Sequence, residues 1–226
     1  MKKIGLLLLL IAVVVSSCSS SKHLISGVQP SEMDELLNIG PFSRISFIAK
    51  GNQATYNDSI SNQAMIVLNE SLESLREKLP LYPQGIKITD SLERDTLEKE
   101  IGLILTAIDA RKKKQNVPST PMFDSLLTAH DKRFGLILAQ SGFTRRKGNY
   151  GGQIAKGFAL GLLTMGTFYT VPIKANSTIH AIIIDSQNHN VAFYRRSILQ
   201  DKEPTQKKHL DDQLNQIFKN YFWEKP

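Results

Sequence analysis

The chain has 226 residues, of which 41% are hydrophobic and 22% charged, with a formal net charge of +7. That is enough chain for one sizeable core, or one domain with an insertion. Two of the cations, Lys2 and Lys3, sit in the first three residues. The excess left over is too thin for a nucleic-acid-binding face, but a cationic face would suit anionic lipid head groups or acidic glycans. No internal repeat or low-complexity tract stands out.

In chain order, Met1-Lys2-Lys3 is followed by an unbroken apolar run over residues 4–15, then by Ser16-Ser17-Cys18. Positive charge, apolar core and small residues in that order make a secretory leader. The run falls short of the roughly 20 apolar residues a bilayer span needs. Val15-Ser16-Ser17-Cys18 resembles the lipobox of bacterial lipoproteins. The resemblance implies a leader over 1–17, cut before Cys18, and a thiol carrying membrane lipid. One acyl chain binds a membrane marginally, whereas two or more hold firmly. Cys18 is the only cysteine, so acylation would leave neither a free thiol nor a disulfide. The competing reading is an ordinary secreted protein with a chance cysteine. An Asp after the cysteine resembles an inner-membrane retention signal in enteric bacteria. Ser19 stands here instead, which favours the outer membrane, facing the periplasm. Residues 18–29 read as a lipidated tether, and 30–226 as a single domain.

Residues 42–50 (FSRISFIAK) are rich in β-formers and predict a strand. Ile60, Ala64, Val67, Leu68, Leu72, Leu75 and Leu79 recur at helical spacing, with Asp58, Ser59 or Ser61 as cap and Pro80 beyond the end. Residues 85–89 (GIKIT) predict a short second strand. Asp90 and Glu93 have capping-box spacing, opening a helix with the buried stripe Leu97, Ile101, Ile104, Leu105 and Ile108. It ends in Arg111-Lys112-Lys113-Lys114, either cations on the helix macrodipole or a patch for lipid phosphates.

Residues 121–130 predict a short helix with Pro121 in its first turn. Residues 134–146 predict a long strand, its start apolar on both faces. Residues 178–185 and 191–199, joined by turn-forming residues 187–190, predict an antiparallel hairpin. A final helix spans about 204–222, with Leu210, Leu214, Ile217, Phe218, Tyr221 and Phe222 facing inward. The expected fold class is α/β: a mixed sheet of about five strands covered by helices, with a C-terminal hairpin and final helix.

Between the long strand and the hairpin lies a Gly-rich insert, residues 148–173, whose part 157–173 carries no charge. Gly157 and Gly161 form a small-xxx-small pair. Three readings stand open: a buried part of the core, an exposed surface that meets a partner or lipid, or a full span. For the second, the contact residues would be Gly157, Phe158, Gly161 and Leu162, followed by Leu163, Met165, Phe168 and Tyr169.

The long strand, this insert, and a hairpin ending in Phe193-Tyr194-Arg195-Arg196 resemble envelope lipoproteins of the curli-secretion type and lipoprotein activators of penicillin-binding proteins. That group implies assembly or regulatory factors, and its curli-secretion members insert β-hairpins as oligomeric pores. The insert here lacks the long polar/apolar alternation of a pore hairpin.

Of the histidines, His23, His130, His180, His189 and His209, none has metal-ligand spacing. His180 and Asp185, five residues apart on one strand, point to opposite faces. His180 therefore reads as a core or interface residue. No GxSxG, phosphate loop or dinucleotide fingerprint is present. The sequence predicts no catalytic residues, no metal and no cofactor. Asp58-Ser59-Ile60, Asp90-Ser91-Leu92, Asp95-Thr96-Leu97 and Asp124-Ser125-Leu126 resemble the O-glycosylation tripeptide of Bacteroidetes envelope proteins, with Ser59, Ser91, Thr96 and Ser125 as acceptors. Asp-Ser before an apolar residue is also how helices start.

The functional expectation is a lipid-anchored envelope binding or assembly module. It would contact membrane lipid through Cys18 and either an envelope protein or a second copy of itself, not nucleic acid. An oligomeric pore and an envelope hydrolase are the alternatives. The hydrolase predicts a cleft that gathers His130 or His180 with a carboxylate.

Overall fold

The computed structural model describes residues 23–25, 27–86, 88–110, 116–149, 151 and 173–223. The expectations placed on Cys18, on the basic run 111–114, and on Gly157, Phe158, Gly161, Leu162, Leu163, Met165, Phe168 and Tyr169 lie outside the described residues. Among these residues six strands and four α-helices follow in order. They are β1 (His23–Ile25), β2 (Leu36–Ile48), β3 (Thr55–Tyr56), α1 (Asp58–Glu73), α2 (Ser91–Ala110), α3 (Pro121–Ala129), β4 (Phe134–Arg145), β5 (Asn176–Asp185), β6 (Asn190–Gln200) and α4 (Lys207–Phe218). The sheet order is β1-β6-β5-β4-β2-β3. β2 and β4 run parallel; every other neighbour is antiparallel. The mixed α/β sheet, its C-terminal hairpin and the final helix are as the sequence predicts.

The long strands are apolar on both faces because both faces are covered. On one face Leu68 and Leu72 of α1 and Leu210, Leu214 and Phe218 of α4 meet Leu136, Leu138, Ile179 and Ile183. On the other, Leu97, Ile101 and Ile104 of α2 and Phe123 and Leu127 of α3 meet Phe42, Ile137, Ile182 and Tyr194. Each such side chain, taken fully from water, contributes about 1.5–3 kcal/mol.

A buried polar chain fixes α4 on its face. Ser43 donates to Gln140 Oε1 (2.9 Å), and Gln140 Nε2 donates to Ser177 Oγ (3.2 Å) and to the Pro204 carbonyl (2.8 Å). Ser177 in turn donates to Gln213 Oε1 (2.9 Å), and Gln213 Nε2 donates to the carbonyls of Ser177 and Ser197.

Several boundaries differ from the sequence reading. β2 starts at Leu36 rather than at residue 42. Its first part carries a bulge between Asn38 and Pro41, one residue longer than β4 opposite. Gly40 takes φ 52° there, and Pro41 has no N–H to give. Of the predicted strand 85–89, the described residues Gly85, Ile86, Ile88 and Thr89 belong to no strand. Among the described residues their neighbourhood meets β2 through scattered bonds, Leu36 N–H to the Pro80 carbonyl, Tyr82 N–H to the Leu36 carbonyl and Ile86 N–H to that of Asn38. The cap of α1 is Asn57, whose Oδ1 accepts from the Ile60 N–H (2.9 Å), not Asp58, Ser59 or Ser61. Asp90 does cap α2, accepting from the Leu92 and Glu93 amides. α4 is shorter than predicted; Tyr221 and Phe222 still pack on its cluster from the turn beyond. Within the stretch read as a tether, β1 pairs with Phe193, Tyr194 and Arg195 of β6.

Candidate functional site

Two places on the sheet gather polar chemistry. The first is a cleft of about 510 Å³ between α2 and the sheet. The floor comes from Phe42 and Arg44 of β2, Ala139 and Ser141 of β4 and His180 of β5; Asp95, Glu98, Lys99 and Leu105 of α2 form the wall. α2 presents these polar residues beside its buried stripe, so one helix both closes the core and lines the opening. Arg44 donates to Glu98 (3.0 Å) and lies 5.2 Å from the centre of the Tyr56 ring.

His180 Nδ1 lies 3.0 Å from the Tyr194 hydroxyl, across the β5–β6 pair. Burial lowers the imidazole to about 4, and the charge of Arg196 pushes the same way, against an opposing pull from Asp109. Burial raises the Tyr194 phenol to about 12. Both shifts keep the pair neutral near pH 7, whereas efficient proton transfer wants a group that titrates close to the working pH. The cleft does gather His180 with Asp95 and Glu98, as a hydrolase would require, but Glu98 is held by Arg44. Ser141 is a diagonal neighbour of His180, since Ala139 pairs with His180 and Ser141 with Thr178.

The second place is the end of the sheet where β2 and β4 stop and β5 begins. Arg145, the last residue of β4, ties three segments together. Its Nε donates to the Ile173 carbonyl (2.8 Å), Nη1 to the Gly51 carbonyl (2.8 Å) and Nη2 to Asn52 Oδ1 (3.0 Å). Asn149 Nδ2 also donates to Gly51 (3.1 Å), and Lys174 N–H to Asp201 Oδ1 (2.8 Å). Both roots of the Gly-rich connection are thereby fixed at one sheet end. Gly142 permits the close return: a Cβ there would stand 2.1 Å from the Asn176 carbonyl oxygen.

The remaining sequence candidates are scattered. Asp185 is fully buried and takes both nitrogens of Arg133 (3.0 and 2.8 Å), on bonds separate from those of His180. Burial pushes its carboxyl up, but hydrogen bonds from Arg133 and Asn188 outweigh this and hold it below the usual range. His130 closes the C-terminus of α3, and His189 sits in the hairpin turn against Asp124 (2.8 Å). Ser59, Ser91 and Ser125 are exposed near the starts of their helices; Thr96 is half-buried and donates to the Leu92 carbonyl. Sequence reasoning missed Arg44 and Glu98 as cleft residues, the buried Tyr194 as the partner of His180, and Arg145 as a tie. The pair Arg145-Arg146 at a predicted strand end was the one available signal.

No family model matches the chain, and no curated protein matches it. Among solved structures, two PelC dodecamers from Paraburkholderia phytofirmans are similar. One has 7% identity and a TM-score of 0.38, covering 91% of this chain and 100% of that one. The other has 6% identity and a TM-score of 0.36, covering 92% and 99%. With so little identity and so loose a superposition, the likeness bears on neither mechanism nor partner.

Proposed function

We propose that this chain is a lipid-anchored module of a bacterial cell envelope that binds or assembles with a protein partner rather than catalysing a reaction. The observation that carries the reading is Val15-Ser16-Ser17-Cys18 directly after a short apolar run headed by two lysines. Acyl chains on Cys18 would hold the domain at the outer membrane, facing the periplasm. The fold supports a binding role in two ways. The cleft under α2 is floored by the His180 imidazole, which burial keeps neutral near pH 7 and the buried Tyr194 hydroxyl holds at 3.0 Å, a group suited to hydrogen bonding at a fixed position rather than to moving protons. And Arg145 fixes the two roots of a Gly-rich connection whose part 157–173 carries no charge, so that a stretch suited to partner contact is tied to the sheet at both roots.

The test has two arms. Cells fed a labelled fatty acid should label the wild type and not Cys18→Ala; equal labelling of the two would overturn the anchor. Affinity capture of the tagged protein from detergent-solubilised membranes should recover a stoichiometric protein partner or a defined oligomer. Recovery of the monomer alone would overturn the assembly role.

A further inference from the structure

The sheet end secured by Arg145 carries a second message, in its charge. Lys50, Arg146, Lys147, Lys174 and Lys202 surround it, all exposed. They come from three separate connections, after β2, between β4 and β5, and after β6. None of the five has an ion-pair partner among the described residues. Two carboxylates stand nearby, and both are engaged within the loops: Asp201 accepts from the Lys174 amide, and Glu203 from the Thr144 hydroxyl (2.6 Å). Arg145 adds a sixth charge, half-buried and bonded only to neutral oxygens. The bonds to Asp201 and Glu203 come from neutral donors and leave both carboxylates charged, so six cations face two anions and the net positive excess draws anions from outside the chain.

The chain's N-terminal direction points to the same place. β1 is antiparallel to β6, with His23 opposite Arg195 and Ile25 opposite Phe193. β6 climbs from Asn190 to Gln200, toward the cationic end. The chain therefore enters β1 from the Gln200 side. Cys18 precedes His23 by five residues, which span at most about 17 Å. From Arg195 to Gln200 the strand itself rises about 17 Å. The anchor is thus within reach of the level at which the unpaired cations lie.

We infer that this end of the sheet is a membrane-docking face, whose five exposed cations bind the phosphates of anionic lipid head groups. The orientation rests on the reading of Cys18 as an anchor; the charge recognition does not. Juxtamembrane lysines and arginines are drawn to an anionic leaflet, and the attraction fades within a Debye length.

The experiment is lysine acetylation footprinting read by mass spectrometry. The full-length protein is reconstituted in phosphatidylcholine vesicles with and without phosphatidylglycerol. With phosphatidylglycerol, Lys50, Lys147, Lys174 and Lys202 should acetylate about five-fold more slowly or better. Lys78 and Lys219, toward the other end, serve as controls and should not change. High salt should abolish the protection. Equal reactivity at both ends would overturn the proposal. So would protection that persists in pure phosphatidylcholine, which would mean apolar contact, or protection in detergent that rises with protein concentration, which would mean a second copy covers the face. The same measurement on full-length Cys18→Ala separates the two readings. If the anchor reading fails and the face is real, this variant still gains protection with phosphatidylglycerol. If the anchor is real and the face is not, the wild type takes up fatty acid but its lysines acetylate alike in both vesicles.

Discussion

At the end where β4 begins, charges meet opposites, Arg133 on Asp185 and Lys132 on Glu35, and the His189 ring lies against Asp124. At the end where β4 stops, Arg145 is bonded to neutral oxygens, and Lys50, Arg146, Lys147, Lys174 and Lys202 form no ion pair among the described residues. The first end closes a hairpin: Asp185 also accepts from the Gln187 and Asn188 amides and so pins the β5–β6 turn. Charge there serves the fold. At the second end only Arg145 has a structural task, and the others are left to face solvent or whatever lies beyond it. Paired and unpaired cations on one small sheet differ in what their removal should cost.

The largest effect should follow Arg133→Leu. Asp185 is fully buried, and loss of its guanidinium leaves a carboxylate with amide donors alone. We expect a loss of about 2–3 kcal/mol in urea unfolding, toward the low side for a buried pair because Arg133 is partly open to water. The pH dependence has a definite sign. In the wild type the Asp185 carboxyl is held below its usual range, so its contribution is present above the unfolded carboxylate pKa and is lost as pH falls through the folded value. Without Arg133, burial dominates and acid unfolding should begin at higher pH; an unmoved acid limb would erase the contrast between the ends. Next comes Gly142→Ala, which places a methyl on the Asn176 carbonyl and should cost about 1–3 kcal/mol, with faster amide exchange around residue 176. It would sharpen the comparison by showing that the cationic end depends on backbone fit rather than on charge pairing. The smallest change should come from Lys174→Gln and Lys202→Gln, within about 0.5 kcal/mol of the wild type in the same unfolding assay. A loss above 1 kcal/mol in either, roughly twice the ordinary surface effect, would mean these cations serve the fold after all.

How much of this was legible beforehand varies by element, for physical reasons. β4, β5 and β6 announce themselves through apolar runs bounded by turn residues. α2 does so through its stripe and the Asp90 cap, because both signals are local. The start of β2 is hidden by Asn38-Ile39-Gly40-Pro41, which looks like a breaker and is a bulge that only pairing with β4 makes strand-like. The described residues of 85–89 include β-formers, Ile86, Ile88 and Thr89, yet join no strand, because a strand needs a continuous partner that local sequence does not record. β1 is three residues long and depends wholly on β6. The cleft needs α2 to bridge from Arg44 to the β5–β6 hairpin, a packing fact with no periodic trace. Arg145 looked like one more cation at a strand end; its three acceptors come from segments far apart in the chain.

The two edges of the chain are sewn to each other late. β1 waits for β6, and the Tyr221 hydroxyl donates to the Val28 carbonyl across 193 residues (2.8 Å). A polypeptide delivered N-terminus first, from a ribosome or across a bilayer, completes its opening strand only after nearly all the rest has emerged. Contacts so distant in sequence form slowly and leave β-forming surface uncovered meanwhile. The interval before β6 arrives is therefore the time at which this molecule most needs a chaperone, and truncation ahead of Asn190 should leave the first strand permanently unmated.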